Sequence, residues 1–122
     1  MKKKILIVDD DWAILELLKV TLSSAGYEVW VAQNDSEFRH EVLSRQPDMI
    51  ILDIMLGEKD GVRVYDQLLI EGLDARIPVI FLSVLAQDIQ QKPPQAGRTY
   101  ALIAKPFDPE KLVQEIMCLA GE

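Results

Sequence analysis

The sequence predicts an α/β fold built on a five-stranded, doubly wound parallel sheet with helices on both faces. Two observations indicate this class. Short apolar runs of strand length alternate with segments of helical period along the chain, and several runs are apolar at consecutive positions, as in strands covered on both faces. The chain has 122 residues, 49% of them hydrophobic and 27% charged, which fits one domain (1–122) with an ordinary core.

Five apolar runs bounded by polar or turn-forming residues are the predicted strands. They are KILIVD (4–9), YEVWVA (27–32), DMIILD (48–53), IPVIFLS (77–83) and YALIA (100–104). A loop is predicted after the third strand, at GEKDG (57–61).

Apolar residues at helical spacing predict the helices between and after these strands. Asp11 is a suitable N-cap for the first helix, and Asp35 or Ser36 for the second. Asp108 followed by Pro109 is a typical start for the last. The inward residues, from first helix to last, are predicted to be Ile14, Leu15, Leu18, Leu22, Ala25, Phe38, Val42, Leu43, Tyr65, Leu68, Leu69, Leu112, Val113, Ile116 and Ala120.

The connection between the fourth and fifth strands differs from the others. Its sequence AQDIQQKPPQAGRT has weak helical periodicity and two adjacent prolines, Pro93 and Pro94. A helix that begins near Ala86 should end before Lys92. The fourth helix is therefore predicted to be shortened or irregular.

Composition excludes several classes of function. The net charge of −7 argues against direct nucleic-acid binding, which needs a basic face. No stretch approaches the roughly 18 apolar residues of a membrane span, and the run ILIV is shorter than a signal peptide's apolar region of about 7–15 residues.

The single cysteine, Cys118, stands in an apolar context that predicts a buried, inert thiol. The expected location is the cytoplasm.

Side chains that carry chemistry stand at the carboxyl ends of four of the predicted strands. They are Asp9, Asp10 and Asp11 at the end of the first strand, Asp53 at the end of the third, Ser83 at the end of the fourth and Lys105 just after the fifth. In a doubly wound sheet the ligand site lies beyond the carboxyl ends of the strands, so these groups are expected to converge there.

Several carboxylates at one edge need a positive partner. Two such charges about 4 Å apart repel by roughly 4 kcal/mol at an effective dielectric near 20. Lys105 offsets one charge, and a small cluster of hard oxygen ligands suits Mg²⁺. A divalent metal, a free carboxylate, a lysine and a hydroxyl are also the parts needed for phosphoryl transfer. Asp53, alone at its strand end, is the best candidate nucleophile, and Asp9 and Asp10 are a candidate metal-holding pair.

From end to end, the chain resembles the receiver domains of two-component response regulators, including the chemotaxis receivers. The motifs are ILIVDDD (5–11), PDMIILDIML followed by KDG (47–61), PVIFLS (78–83) and KPF (105–107). The resemblance implies a flavodoxin-like three-layer sandwich with strand order 2-1-3-4-5. It also implies a signalling switch that accepts a phosphoryl group from a histidine kinase's phosphohistidine.

The resemblance assigns roles to individual residues around a Mg²⁺ ion. Asp53 would be the phosphoacceptor and, with Asp10 and the backbone carbonyl of Met55, would ligate the metal. Asp9 would hold a metal-bound water.

Two further residues would act on the phosphoryl group itself. Ser83 would donate a hydrogen bond to a phosphoryl oxygen and Lys105 would pair with it, and the Lys105–Pro106 bond would be cis. Such a domain is not an enzyme with a separate substrate, although it catalyses its own phosphorylation and dephosphorylation. Its partners would be a sensor histidine kinase or phosphotransfer protein, and a downstream effector domain or protein. A second copy of the chain, in a homodimer, is a further candidate partner.

The sequence departs from the family pattern in three places. Gly57 replaces a frequent proline, Leu102 occupies the usual position of the switch aromatic with Tyr100 nearby, and Pro93–Pro94 replace much of a helix. Two of these departures, Leu102 and the double proline, favour a rival interpretation, a pseudo-receiver that binds proteins without being phosphorylated. The complete set of site residues argues against it.

Two other classes share parts of the pattern. A haloacid-dehalogenase-like phosphatase would have a second Asp two residues after the nucleophile, where this chain has Met55. A flavin-binding domain of the same topology would need a phosphate-cradling loop after the first strand, where acids would repel the phosphate.

Overall fold

The computed structural model of the protein describes residues 2–83 and 100–120. Five strands form one parallel sheet: β1 (Lys4–Val8), β2 (Glu28–Ala32), β3 (Met49–Asp53), β6 (Val79–Ser83) and β7 (Tyr100–Ala104). The helices are α1 (Trp12–Ser24), α2 (Asp35–Arg45), α3 (Gly61–Ile70) and α4 (Pro109–Leu119). The sheet order β2-β1-β3-β6-β7 confirms the predicted 2-1-3-4-5 order of the main strands.

The inner strand β1, which lies between β2 and β3, shows how this register builds a core on each face of the sheet. Leu6 lies opposite Trp30 on β2 and Ile50 on β3. Leu6 and Val8 pack under α2 and α3, whereas Ile5 and Ile7 pack under α1 and α4. Because both faces are covered, β1 is apolar at every position from Ile5 to Val8. The sequence therefore shows a continuous apolar run here and no alternation of apolar and polar residues.

Most predicted inward residues face these two cores. Leu15, Leu18 and Leu22 of α1 are buried, and so are Leu112 and Ile116 of α4. The side chain of Asp11 accepts a hydrogen bond from the Ala13 amide, and that of Asp108 from the Glu110 amide, which confirms both predicted N-caps. Ala25, in contrast, is the exposed C-cap of α1.

The prediction for α2 was wrong at two positions. Asn34, rather than Asp35 or Ser36, is the N-cap, and its side chain accepts from the Glu37 amide at 2.9 Å. Leu43 is 74% exposed because it follows Val42 by one residue, which turns it about 100° away from the core.

Two other sequence predictions are also corrected. Cys118 is exposed, since it lies on the face of α4 opposite Leu112 and Ile116. The predicted loop at 57–61 contains part of a short antiparallel pair, β4 (Met55–Leu56) and β5 (Lys59–Asp60).

The helix predicted between the fourth and fifth strands, with Pro93–Pro94 after it, lies outside the described residues. None of the helices within residues 2–83 and 100–120 combines the length and the hydrophobicity of a transmembrane segment.

Candidate functional site

The three acids that follow β1 have different environments. Asp9 is fully buried, and its Oδ1 accepts a hydrogen bond from the Asp11 amide at 2.9 Å. Asp11 is exposed and caps α1 through its own Oδ1. Asp10 is also exposed. One buried carboxylate and one accessible carboxylate therefore lie next to each other at the carboxyl edge of β1.

Asp53 ends β3 at the centre of the same edge. Its strand lies between β1 and β6, and the residue is 2% exposed. Its Oδ1 accepts a hydrogen bond from the Met55 amide at 3.1 Å. The acceptor predicted from the sequence is thus a buried carboxylate held from one side by the chain that follows it.

Lys105, just after β7, connects the carboxylates. Its Nζ lies 2.8 Å from Asp9 Oδ2 and 3.2 Å from Asp53 Oδ2, and its side chain is 13% exposed. Its backbone amide donates to the carbonyl oxygen of Ser83 at 2.7 Å, and Ser83 is buried at the end of β6. The Lys105–Pro106 bond is cis, as predicted. Four strand ends therefore converge as the topology requires.

The charges in this cluster are unbalanced. Burial raises the pKa of the Asp53 carboxyl to about 6, the charge of Asp9 adds to the rise, and Lys105 counteracts it. Burial alone would lower the pKa of Lys105, but its hydrogen bond to Asp9 and the charges of Asp9 and Asp53 outweigh burial and raise it. Lys105 therefore stays an ammonium, and a proton or a second cation is favoured at Asp53.

The donor set fits a hard divalent cation. Asp9, Asp10 and Asp53 can each offer one carboxylate oxygen, and these oxygens lie within 4.8 Å of one another. Mg²⁺ takes one or two carboxylates and keeps several waters. The exposure of Asp10 leaves the cluster open to those waters.

The contact between the β4–β5 hairpin and Asp10 is a part of the site that the sequence does not predict. The Gly57 amide donates to Asp10 Oδ2 at 3.2 Å, so the hairpin contacts the acidic cluster directly. Gly57 has φ +64, a conformation that favours glycine over the family's frequent proline. The spacing between Asp10 and Gly57 along the chain gave no signal of this contact. Met55 is exposed beside the site, and metal ligation by its carbonyl oxygen stays a prediction.

The departure at Leu102 can be placed in the core. Leu102 is half-buried and packs against the cluster under α2 and α3, opposite Phe81 in the β6–β7 register. The side chain of Tyr100 lies outside what the structure describes.

Comparison with known families agrees with this geometry. The family model described as "Response regulator receiver domain" matches residues 5–117. Among solved structures, the Vibrio cholerae chemotaxis protein CheY4 superposes with a TM-score of 0.83 at 25% identity, covering 98% of this chain and 99% of that one.

Two curated relatives are regulators of transcription by name. The phosphate regulon transcriptional regulatory protein PhoB of Pseudomonas aeruginosa is 34% identical over 114 residues, which cover 93% of this chain and 50% of that protein. The DNA-binding dual master transcriptional regulator RpaA of Synechocystis is 36% identical over 118 residues, covering 95% and 48%. The chain thus spans about half the length of the curated relatives it matches.

Proposed function

Because the chain belongs to the receiver domains of two-component response regulators, we propose that it is a phosphorylation-dependent switch with Asp53 as the phosphoacceptor. One observation carries the proposal. Buried Asp53 lies within 3.2 Å of the Lys105 ammonium, which also pairs with Asp9, while exposed Asp10 lies beside them. A nucleophile, a phosphate-pairing cation and an acidic pocket therefore share one edge of the sheet.

Asp53 supplies the nucleophile for phosphoryl transfer. A carboxylate oxygen of Asp53 attacks the phosphorus of a phosphohistidine, the P–N bond breaks, and its electron pair leaves with the imidazole nitrogen. The new P–O bond makes an acyl phosphate. The pKa of about 6 leaves Asp53 mostly ionised at neutral pH, as attack requires. In self-dephosphorylation, water attacks phosphorus, the same P–O bond breaks, and the carboxylate and inorganic phosphate are released.

The acidic pocket is the proposed Mg²⁺ site. Receiver domains bind Mg²⁺ at an acidic pocket, and the three carboxylates described above fit that role. Asp10, Asp53 and the Met55 carbonyl would hold the ion, with Asp9 acting through a water. When bound, Mg²⁺ supplies positive charge to the oxygens of the transferring phosphoryl group.

Lys105 and Ser83 would act on the phosphorylated state. The Lys105 ammonium, already 3.2 Å from Asp53 Oδ2, would pair with a phosphoryl oxygen. The Ser83 hydroxyl would donate to another oxygen and move inward. That movement would bias the segments around β6 and β7 toward a second arrangement, which a partner reads.

The proposed partners follow from the family. A sensor histidine kinase or phosphotransfer protein would supply the phosphoryl group in the cytoplasm, and an effector domain or protein would read the switch. The transcriptional regulators that match this chain are about twice its length, which supports an effector role for the remainder of such proteins.

The test is phosphorylation by acetyl phosphate, followed by intact-mass measurement. We expect one phosphoryl group per chain with Mg²⁺, none with EDTA, and none in Asp53→Asn. The matched control is Asp74→Asn, at an exposed aspartate just beyond the C-terminal end of α3. It should be labelled like wild type. Labelling that survives Asp53→Asn would exclude Asp53 as acceptor. A wild-type chain that stays unlabelled with Mg²⁺ would favour the pseudo-receiver.

A further inference from the structure

We propose that Gly61 is a positioning residue for the phosphoacceptor. The lack of a side chain at Gly61 lets the first turn of α3 lie against the backbone of Asp53, and any larger residue would displace the acceptor from its partners. The inference deepens the proposed function and rests on it, since it concerns how Asp53 is held.

Gly61 differs from the other glycines that the structure describes. A Cβ atom built on Gly61 would overlap the backbone carbonyl oxygen of Asp53, and would lie 3.2 Å from the Asp53 carbonyl carbon and 3.2 Å from the Ile54 carbonyl oxygen. At Gly26, Gly57 and Gly72 a Cβ meets nothing within 4 Å, but φ is +99, +64 and +113. Those three positions favour glycine for its conformation, whereas Gly61 needs it for space.

One hydrogen bond links Gly61 to Ile54, the residue that follows β3, and another caps α3. The Gly61 amide donates to the Ile54 carbonyl oxygen at 2.6 Å, which closes the segment that contains the β4–β5 hairpin. Asp60 caps α3 by accepting from the Val62 amide at 3.0 Å. The start of α3 is thus held at the Ile54 carbonyl oxygen, one peptide unit beyond the Asp53 backbone that Gly61 contacts.

A methyl group at position 61 has no easy way to be accommodated. The atoms it would meet belong to the backbone, so they cannot rotate away as the end of a long side chain can. Either α3 retreats or the 53–54 peptide turns. A turn of the 53–54 peptide moves the Asp53 backbone directly, and a retreat of α3 pulls on the Ile54 carbonyl oxygen, which accepts from the Gly61 amide. We expect either change to shift the Asp53 carboxylate, which accepts from the Met55 amide at 3.1 Å and pairs with Lys105 Nζ at 3.2 Å.

The expected result is weaker chemistry in a folded domain. Misplacing a reacting group by about 1 Å can cost on the order of 100-fold in rate, so Gly61→Ala should slow labelling by acetyl phosphate about 10- to 100-fold. It should also weaken binding of Mn²⁺, a spectroscopic substitute for Mg²⁺, because Asp53 is one of the proposed ligands.

The matched control is Gly72→Ala, just beyond the C-terminal end of α3. It should destabilise the fold through strain at positive φ, yet keep the wild-type labelling rate and Mn²⁺ affinity. We would measure labelling by intact mass, Mn²⁺ affinity by electron paramagnetic resonance, and folding by circular dichroism. If Gly61→Ala melts below the assay temperature, all chains would be assayed at low temperature in trimethylamine N-oxide, which favours folded states.

Each outcome decides the inference. Loss of Mn²⁺ affinity and labelling rate in folded Gly61→Ala, with both retained in Gly72→Ala, supports it. Wild-type values in Gly61→Ala overturn it, as would failure to fold even in the osmolyte, because the glycine would then serve the fold and not the acceptor. If wild type itself is unlabelled, the proposed function fails, while the Mn²⁺ comparison still tests the placement of Asp53.

Discussion

At the scale of single residues, ionisation of Asp53 is unfavourable in the metal-free folded state. It is buried at the end of β3 beside a second buried carboxylate, Asp9, and a single ammonium lies between them. Its pKa is raised from 3.8 to about 6, so the metal-free folded state holds the Asp53 proton more tightly than the unfolded chain does.

The sign of the pH effect follows from that shift. The stability that protonated Asp53 contributes is fully present below about pH 4 and is lost as pH rises through about 6. Asp53→Asn removes this dependence. In EDTA the variant should therefore be more stable than wild type by about 3 kcal/mol at pH 7.5, and nearly equal to it at pH 3.5. Urea unfolding at the two pH values measures this, and an equal difference at both would contradict the assignment.

Lys105 provides a second test at the residue scale. Lys105→Met leaves two buried carboxylates without their cation, and breaking such a pair costs about 3–5 kcal/mol. We expect this loss in EDTA at pH 7.5, and partial recovery in MgCl₂ because a cation again lies near the carboxylates. Lys111→Met, at an exposed lysine on α4, should be near wild type in both buffers. No recovery with Mg²⁺ would argue against a metal site in this cluster.

At the scale of elements, α2 shows where helical period decides packing. Val42 is buried between α2 and the sheet, whereas Leu43 points outward. Val42→Ala should cost about 1–3 kcal/mol, and Leu43→Ala should change the free energy of unfolding by less than about 0.5 kcal/mol. Urea unfolding of the two variants provides the comparison. A larger loss at Leu43 would mean that α2 is rotated from the orientation described here.

The same helix explains which element details could be predicted. Phe38 and Val42 are four residues apart and are both buried, as helical spacing predicts, whereas Leu43 is five residues from Phe38 and is exposed although it is apolar. The cap was misplaced although Asn34 and Glu37 have the spacing of an N-cap and its third helical residue, and Glu37 also accepts from the Gln33 amide. Cys118 on α4 is a similar case, because an apolar neighbourhood in the sequence predicts burial but the residue is exposed.

At the scale of the whole molecule, the site could be predicted because topology brings it together. Once β1, β3, β6 and β7 are parallel neighbours in a doubly wound sheet, their carboxyl ends must share an edge. Contacts that depend on tertiary detail gave no such signal. The Gly57 amide on Asp10, and Gly61 against the Asp53 backbone, depend on how the β4–β5 hairpin turns, which apolar periodicity does not encode.

Coupling of metal binding to folding is the prediction for the whole molecule. A ligand that binds the folded state stabilises it by about 1.4 kcal/mol for each tenfold excess over its Kd, so Tm should rise with Mg²⁺ concentration. Calorimetry in MgCl₂, compared with NaCl of equal ionic strength, separates binding from charge screening. Asp10→Asn should reduce the Mg²⁺-dependent part of the shift, and an undiminished shift would place the ion elsewhere.

The two ends of the described chain also meet, far from this chemistry. Lys3 Nζ donates to the carbonyl oxygen of Ala120 at 3.1 Å, next to the start of β1. A five-residue strand rises about 16 Å, so this meeting point lies at the opposite rim of the sheet from the carboxylates. A fluorophore attached beside Lys3 or Ala120 would therefore leave the acceptor's surroundings unobstructed.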